Sequence, residues 1–274
     1  MLASSLTATD DREGVLGSSA MSLISDYRKI FETQEATSAG LRDEAHRIRF
    51  EVYCREFAFE NSAEHADGLE KDEYDAHSRH CLLLHKPSQT YAGCVRVILA
   101  KPETPTTSFP FEKCCARAFW RDKVDVANLP RDTFGEISRL AIRRPFRRRR
   151  GERPHPDGFS NLVNPLPGVD RRHMPKMVLG LYLAAAAVGL SNGLESVFAM
   201  MEPRLARHLA VAGIRFEQVS DLVDHHGPRA AFQITRQSLF GCIRPELREL
   251  LEVISADLVT SACVTQHSPA TQVA

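Results

Sequence analysis

The chain lacks a hydrophobic run long enough to cross a bilayer. Its longest, from Met177 to Leu190, falls short of the roughly 20 residues a spanning helix requires and is interrupted by glycine, so no transmembrane segment is expected. The opening twenty residues, rich in Ser, Thr and Asp, carry no apolar core of the kind a signal peptide needs. They read as a disordered segment, 1–20, ahead of an amphipathic run from Met21, itself a candidate start of translation. Excess charge is absent too: Lys plus Arg and Asp plus Glu stand at 35 each, which excludes the chain-wide basic character of a general nucleic-acid or membrane-surface binder. The seven cysteines form no CxxC pair and are odd in number; they read as reduced thiols of a cytoplasmic protein rather than a disulfide framework. Internal repeats and low-complexity blocks are missing as well. What remains, 274 residues of which 43% are apolar, suffices for one large core.

Helical spacing of Ile48, Val52 and Cys54 or Phe57 predicts a helix from about Arg42 that ends near Ala58. An acidic loop follows over 61–75. His80–His85 and the β-branched run that begins at Tyr91 read as two strands of a hairpin, and the prolines at 102, 105 and 110 as a loop. Gly135–Ile142 alternates as a strand, after which 143–175 is too rich in Pro and Gly for regular structure and reads as a long basic loop. Met177–Asn192 then reads as a helix closed by Gly193, Glu195–Met201 as a strand, and the run from Pro203 as a helix that stops at Gly213, with strands at 214–219 and 229–235. This order is that of an α+β domain with a mixed central sheet, spanning 21–242. A C-terminal helix over 244–259 and a loose tail make up 243–274.

Several charged residues sit where solvation alone does not explain them. Arg96 lies between Val95 and Val97 in a strand, so it occupies the opposite face and needs a partner there. Arg49 shares a helical face with Tyr53. Glu136 either pairs with Arg96 or Arg139 across strands or takes a proton from an attacking amine. Asp72 and Asp75, within EKDEYD, either bind an amino group or tether Arg49 and Arg96 in a buried charge network. Seven arginines between Arg143 and Arg153, against the single acid Glu152, form a basic patch suited to phosphate or an acidic protein. Phe146 is the only aromatic among them, which argues against nucleic acid. His77, His80 and His85 have no Cys or carboxylate at complementary distant spacing, so no metal site is expected, and His225-His226 reads as a turn without chemistry.

Four segments in order, RFEVYCREFAF, EKDEYD, GCVRVI and GEISRLAI, resemble the acyl-homoserine-lactone synthases, N-acyltransferases of the GNAT type, over about residues 40–145. The resemblance implies a GNAT-like mixed sheet flanked by helices, with a V-shaped cleft between two splayed central strands. It implies substrate binding by Arg49, Tyr53, Phe59, Asp72, Asp75 and Arg96, and a catalytic block of Glu136, Ser138 and Arg139. The family's second aromatic is usually Trp and here is Phe59, and the loop over 143–175 is much longer than in those synthases. In this the chain is nearer to N-acyl amino acid synthases and to the acyltransferases that accompany exosortase systems.

The implied reaction moves a fatty acyl group from an acyl carrier protein thioester to the amine of an amino acid, or of a molecule derived from one, by direct attack and without a tightly bound cofactor. Acyl-phosphopantetheine is then a co-substrate, met by Arg143, Arg144, Arg147, Arg148, Arg149 and Arg150. Glu136 assists deprotonation, backbone N–H groups of the splayed strand hold the thioester oxygen, and the helix from Met177 encloses the acyl chain. Two alternatives stay open. One is a coenzyme-A-dependent acyltransferase, although the basic run holds a single glycine, Gly151. The other is a non-enzymatic basic interaction module for nucleic acid or an acidic protein, in which Arg147–Arg150 matter and Glu136 and Asp75 do not. Covalent transfer through Ser138 or Cys94 is the runner-up mechanism, since neither has a His nearby in sequence to activate it.

Overall fold

The structure, a computed structural model, describes residues 23–101, 103–104, 106–147 and 174–266. The segment 1–20 and most of the loop 143–175, with Arg148, Arg149 and Arg150, lie outside the described residues.

A first helix, α1 (residues 23–30), leads into β1 (Phe31–Glu35). Helix α2 (Ala39–Arg49) starts at Ser38, whose Oγ accepts from the Leu41 N–H at 3.3 Å and so satisfies one of the first-turn donors. It widens into a π-helical turn over Phe50–Glu56 and ends where Ala58 takes a left-handed φ of 52°. Strands β2 (Ser78–His85) and β3 (Thr90–Ile98) form the expected hairpin. The proline-containing stretch beyond it, expected as loop throughout, contains α3 (Pro110–Cys115). Pro110 in its first turn and a Glu112 carboxylate that accepts from the Phe109 N–H at 2.7 Å nucleate this short helix. The chain continues through β4 (Phe134–Ile142), α4 (Arg144–Arg147), α5 (Met174–Ser191), β5 (Ser196–Met201), α6 (Pro203–Val211), β6 (Glu217–Gln218), β7 (Val223–Asp224), β8 (Pro228–Thr235), α7 (Arg236–Cys242) and α8 (Pro245–Gln266).

The sheet runs β1-β2-β3-β4-β5-β8-β6, with β7 on β8, and every pairing is antiparallel except β4 with β5. That parallel ladder is short. It joins Phe134–Ile137 to Ser196–Ala199 and stops, while β4 runs on to Ile142 and β5 to Met201. The two strands therefore part, and a V-shaped cleft opens between them, as expected for this α+β architecture.

Alternation along the strands divides the core into two faces. Val95, Val97, Ile137, Val197 and Ala199 point to α5, which is apolar on nearly every side because it lies between the sheet and α8. Leu247, Leu250, Leu251, Ile254 and Leu258 of α8 recur at helical spacing against it. The opposite face carries α2, with Ile48 and Val52 on Leu82, Cys94 and Ala141, and a phenylalanine cluster in which Phe111 stacks on Phe198 at 4.4 Å. Among the described residues, no helix is long and apolar enough to cross a membrane.

Besides α3, and α4 at the start of the stretch expected as a loop, three further elements differ from the sequence expectation. Strand β1 was hidden because its inward residues include polar ones: Thr33 shares a 2.7 Å hydrogen bond with the Tyr27 hydroxyl, and Glu35 pairs with Arg79. The strand expected at 214–219 shrinks to Glu217–Gln218, since Ile214 is taken into the α5 core directly after Gly213 at φ 88°. Helix α8 runs on to Gln266, into the part of the tail expected to be loose. A fourth feature is steric. A Cβ on Gly135 would lie 2.6 Å from the Ile98 carbonyl oxygen and 2.9 Å from Leu194 Cδ1. Gly135→Ala is expected to cost about 1–3 kcal/mol by overpacking, read as a lowered midpoint in urea unfolding.

Candidate active site

The face of the sheet away from α5 holds a closed network of arginines and carboxylates. Arg49, fully buried, donates to Asp75 at 2.6 and 3.2 Å and to Glu70. Arg96 points away from its valine neighbours, as its position in β3 requires, and donates to Asp72 at 2.5 Å, Asp75 at 2.8 Å and the Ser138 hydroxyl at 3.0 Å. Arg139 donates to Glu60 at 2.8 Å and Glu70 at 3.1 Å, with its guanidinium 5.5 Å from the Tyr53 ring centre. Of the two roles open to the Asp pair, the tethering one is what the contacts display. Burial pulls the Glu70 carboxyl upward, but Arg49 and Arg139 overcome it and hold the group at about 2. Asp75 is likewise held below the usual carboxylate range by Arg49 and Arg96 against burial.

Glu136 stands apart from this network. It is 2% exposed on β4 and accepts one hydrogen bond, 3.0 Å from the Phe111 N–H to Oε2, and no ion pair joins it to an arginine among the described residues. Burial pushes its carboxyl up to about 8, the distant pull of Arg96 and Arg139 being too weak to reverse it. It lines a cleft of about 350 Å³ at the mouth of the V, together with Ser138, Arg139, Asp72, Tyr53 and Phe59. Arg96 lines it as well, whereas Arg49 and Asp75 stand behind the wall and support it.

A bulge shapes this wall. Cys94 pairs with Ala141 and Arg96 with Ser138, so Arg139 and Leu140 together oppose Val95, and Arg139 takes a left-handed φ of 51°. The extra residue turns the Arg139 side chain toward Glu60 and Glu70. It also presents the Leu140 carbonyl to the Tyr53 hydroxyl, which donates to it at 2.7 Å. Burial pushes the Tyr53 phenol up to about 12, which keeps it a donor.

The described part of the basic run, 143–147, lies elsewhere. Arg143 donates to Glu44 at 2.7 Å and to Glu51 at 2.8 and 2.9 Å; Arg147 is buried against the Phe57 ring and pairs with Glu56. Both tie the start of the loop to the π-helical turn, and Arg144 is exposed.

Sequence reasoning missed three features. Glu70 opens the EKDEYD segment, yet nothing local distinguishes it from its exposed neighbours. The β7–β8 turn, with His226 at φ 56° and Gly227 at φ 102°, is the expected turn, but it brings His225 and His226 to the cleft, where His226 stacks on Phe59 at 4.4 Å. Arg229 follows on β8 and lines the same cleft. His46, His80 and Asp75 each put one ligand atom within 4.8 Å of the others. Both oxygens of Asp75 already accept from guanidinium groups, so a divalent cation there would face two buried positive charges.

The fold is GNAT-like, with the site at the point where β4 and β5 part. Residues 48–153 match the family model described as the acetyltransferase (GNAT) domain. The chain is similar in fold to the CoA-dependent acyl-homoserine lactone synthase BjaI, in a structure with MTA: 20% identity and a TM-score of 0.51 over 81% of this chain and 89% of that one. It is similar also to TofI, in a ternary complex with an inhibitor and MTA: 17% identity and a TM-score of 0.51 over 80% of this chain and 99% of the other. FeeM, an N-acyl amino acid synthase from uncultured soil microbes, shares 14% identity over 78% of this chain and 94% of its own, at a TM-score of 0.47. At such identities the likeness is one of fold. No curated protein sequence matches the chain.

Proposed function

We propose that the chain transfers a fatty acyl group from a phosphopantetheine thioester to the amine of an amino acid, or of a small molecule derived from one, with Glu136 as the base. The observation that carries this reading is the isolation of Glu136: a buried carboxylate raised to about 8, unpaired with any arginine among the described residues, on the wall of the cleft where β4 and β5 part. An amine attacks only when neutral, and a base near the operating pH is suited to receive its proton. Beyond Ile137 the β5-facing edge of β4 has no strand partner, so its N–H groups are placed to meet a thioester oxygen as charge develops. An apolar cavity bounded by Leu183, Ala186 and Leu190 of α5 shares Ile137 and Tyr182 with the cleft and suits an acyl chain.

Direct attack is favoured over an acyl-enzyme. Cys94 does not line the cleft, and burial holds its thiol up at about 12. Cys114 does line it, 3.8 Å from His225 Nδ1, but burial raises the thiol and lowers the imidazole to about 4, so the pair stays neutral. The donor we favour is acyl carrier protein, on the strength of the exposed Arg144 and of Arg148, Arg149 and Arg150 in the sequence. With Arg143 and Arg147 already paired, the carrier contact falls to these four. A coenzyme A donor is the second reading, suggested by the CoA dependence of BjaI.

Purified protein is to be incubated with acyl carrier protein thioesters and, separately, acyl-coenzyme A, each with a panel of amino acids and amines, and the products weighed by mass spectrometry. N-acyl products are expected, and the donor that supports them decides between the two readings. If neither thioester is consumed with any amine, the synthase reading fails and a basic interaction module takes its place.

A further inference from the structure

Arg96 and Arg139, the other arginines that line the cleft, are neutralised by Asp72, Asp75, Glu60 and Glu70. Arg229 is different. Its Nε is buried without a hydrogen-bond partner, and no ion pair involves it among the described residues. Its guanidinium lies 5.9 Å from the ring centre of Phe59, beside the histidine turn. The adjacent His225 and His226 offer no counter-charge, since an imidazole is either neutral or cationic, and burial first, with Arg229 among the nearby cations, lowers the pKa of both. A half-buried cation without a counter-ion in a cleft is a place prepared for an anion.

The face on which it sits is the one that carries Glu136. On β8, Ala230, Phe232 and Ile234 turn to the α5 layer, while Ala231 joins the cluster of Phe198 and Phe134 on the other side. Arg229 shares the parity of Ala231, and Glu136 that of Phe134. Arg229 and Glu136 therefore face the same side of the sheet, opposite the apolar cavity of α5.

We infer that Arg229 is the carboxylate-binding and specificity-determining residue for the acceptor, which must then be an amine bearing a free carboxylate. This rests on the proposed acyl transfer but makes a separate claim, about which part of the acceptor is recognised. Phe59 and His226, stacked on one another, hold the wall against which the guanidinium rests. A bidentate pairing of guanidinium with carboxylate would fix the orientation of the acceptor and with it the path of the amine.

The test compares a panel of free amino acids with their carboxamides, using full-length wild type, Arg229→Gln and Arg229→Lys. Binding is read by calorimetry and turnover by product mass. Wild type is expected to prefer the acid over the amide by about 100-fold in kcat/KM, the glutamine variant to bring that ratio within about threefold by raising the KM for the acid, and the lysine variant to fall between. The KM for the acyl donor is expected to stay within twofold in all three. An unchanged acid-to-amide ratio in Arg229→Gln, or an effect confined to the donor KM, which would make the anion a phosphate of the donor arm, overturns the inference. Should no amine be acylated, the function reading fails by that result alone. The calorimetric arm still decides on Arg229, through acid binding that is either lost or kept in the glutamine variant.

Discussion

Glu136→Gln is expected to lower kcat/KM by about a hundred- to ten-thousand-fold, the range that loss of a positioned general base produces. The substitution leaves the fold intact, because the amide oxygen still accepts from the Phe111 N–H and the side chain keeps its volume. Wild-type kcat/KM should rise with pH through an inflection near 8, since the carboxyl must ionise to act and burial holds it up to about 8. In the variant that inflection should vanish. Stability carries the opposite sign. A carboxyl whose folded value lies above its unfolded one contributes stability that is fully present below the unfolded value of 4.5 and is lost as pH rises through about 8. The glutamine variant should therefore match wild type near pH 4 and unfold at a higher temperature than wild type above pH 8. A variant that keeps full activity and the same pH profile removes Glu136 from the mechanism.

Arg49→Ala should have the largest effect on stability, about 3–5 kcal/mol, which for a chain of this size corresponds to a fall in Tm of roughly 6–20 °C. Arg49 is fully buried, and its removal takes the nearest positive charge from Glu70 and Asp75 inside the protein. Arg96 still donates to Asp75 and Arg139 to Glu70, but the second oxygen of each acid, which faces Arg49, loses its guanidinium donor inside the protein. Arg49→Lys should recover little, since one ammonium cannot span Glu70 and Asp75 as the guanidinium does. The pH dependence follows from the depressed carboxyls: their contribution is present above the unfolded values, near 4, and is lost as pH falls through the folded ones, about 2 for Glu70. Acid unfolding of the alanine variant should begin at a higher pH than that of wild type, as seen by circular dichroism. Equal acid midpoints would mean that the network is dispensable for the fold.

Much of the molecule was legible without coordinates. Apolar periodicity placed α2, the β2–β3 hairpin, β4, α5, β5, α6 and β8, because in each the buried face is apolar and repeats at 2 or 3.6 residues. It failed at β1, where Thr33 and Glu35 face inward, and at 214–219, where buried residues form no ladder. The motif segments contain Arg49, Asp72, Asp75, Arg96 and Arg139, which meet in one network. The basic run was less transparent. Arg143 and Arg147 look like neighbours of Arg148 along the chain, but their carboxylate partners lie about ninety residues earlier, on the far side of the sheet connection.

The amino-acid sequence by itself determined most of the element order, the mixed sheet and the residue types on the cleft strand, since these depend on local spacing and on which faces are apolar. Only the tertiary structure decided how the charges were shared. It gave Glu70, Asp72 and Asp75 to Arg49, Arg96 and Arg139, and among the described residues left Glu136 buried without a paired cation and Arg229 without a paired anion. The reason is physical: the ionisation and availability of a long charged side chain are set by burial and by partners within a few ångströms. Those partners come from segments that the sequence keeps tens of residues apart.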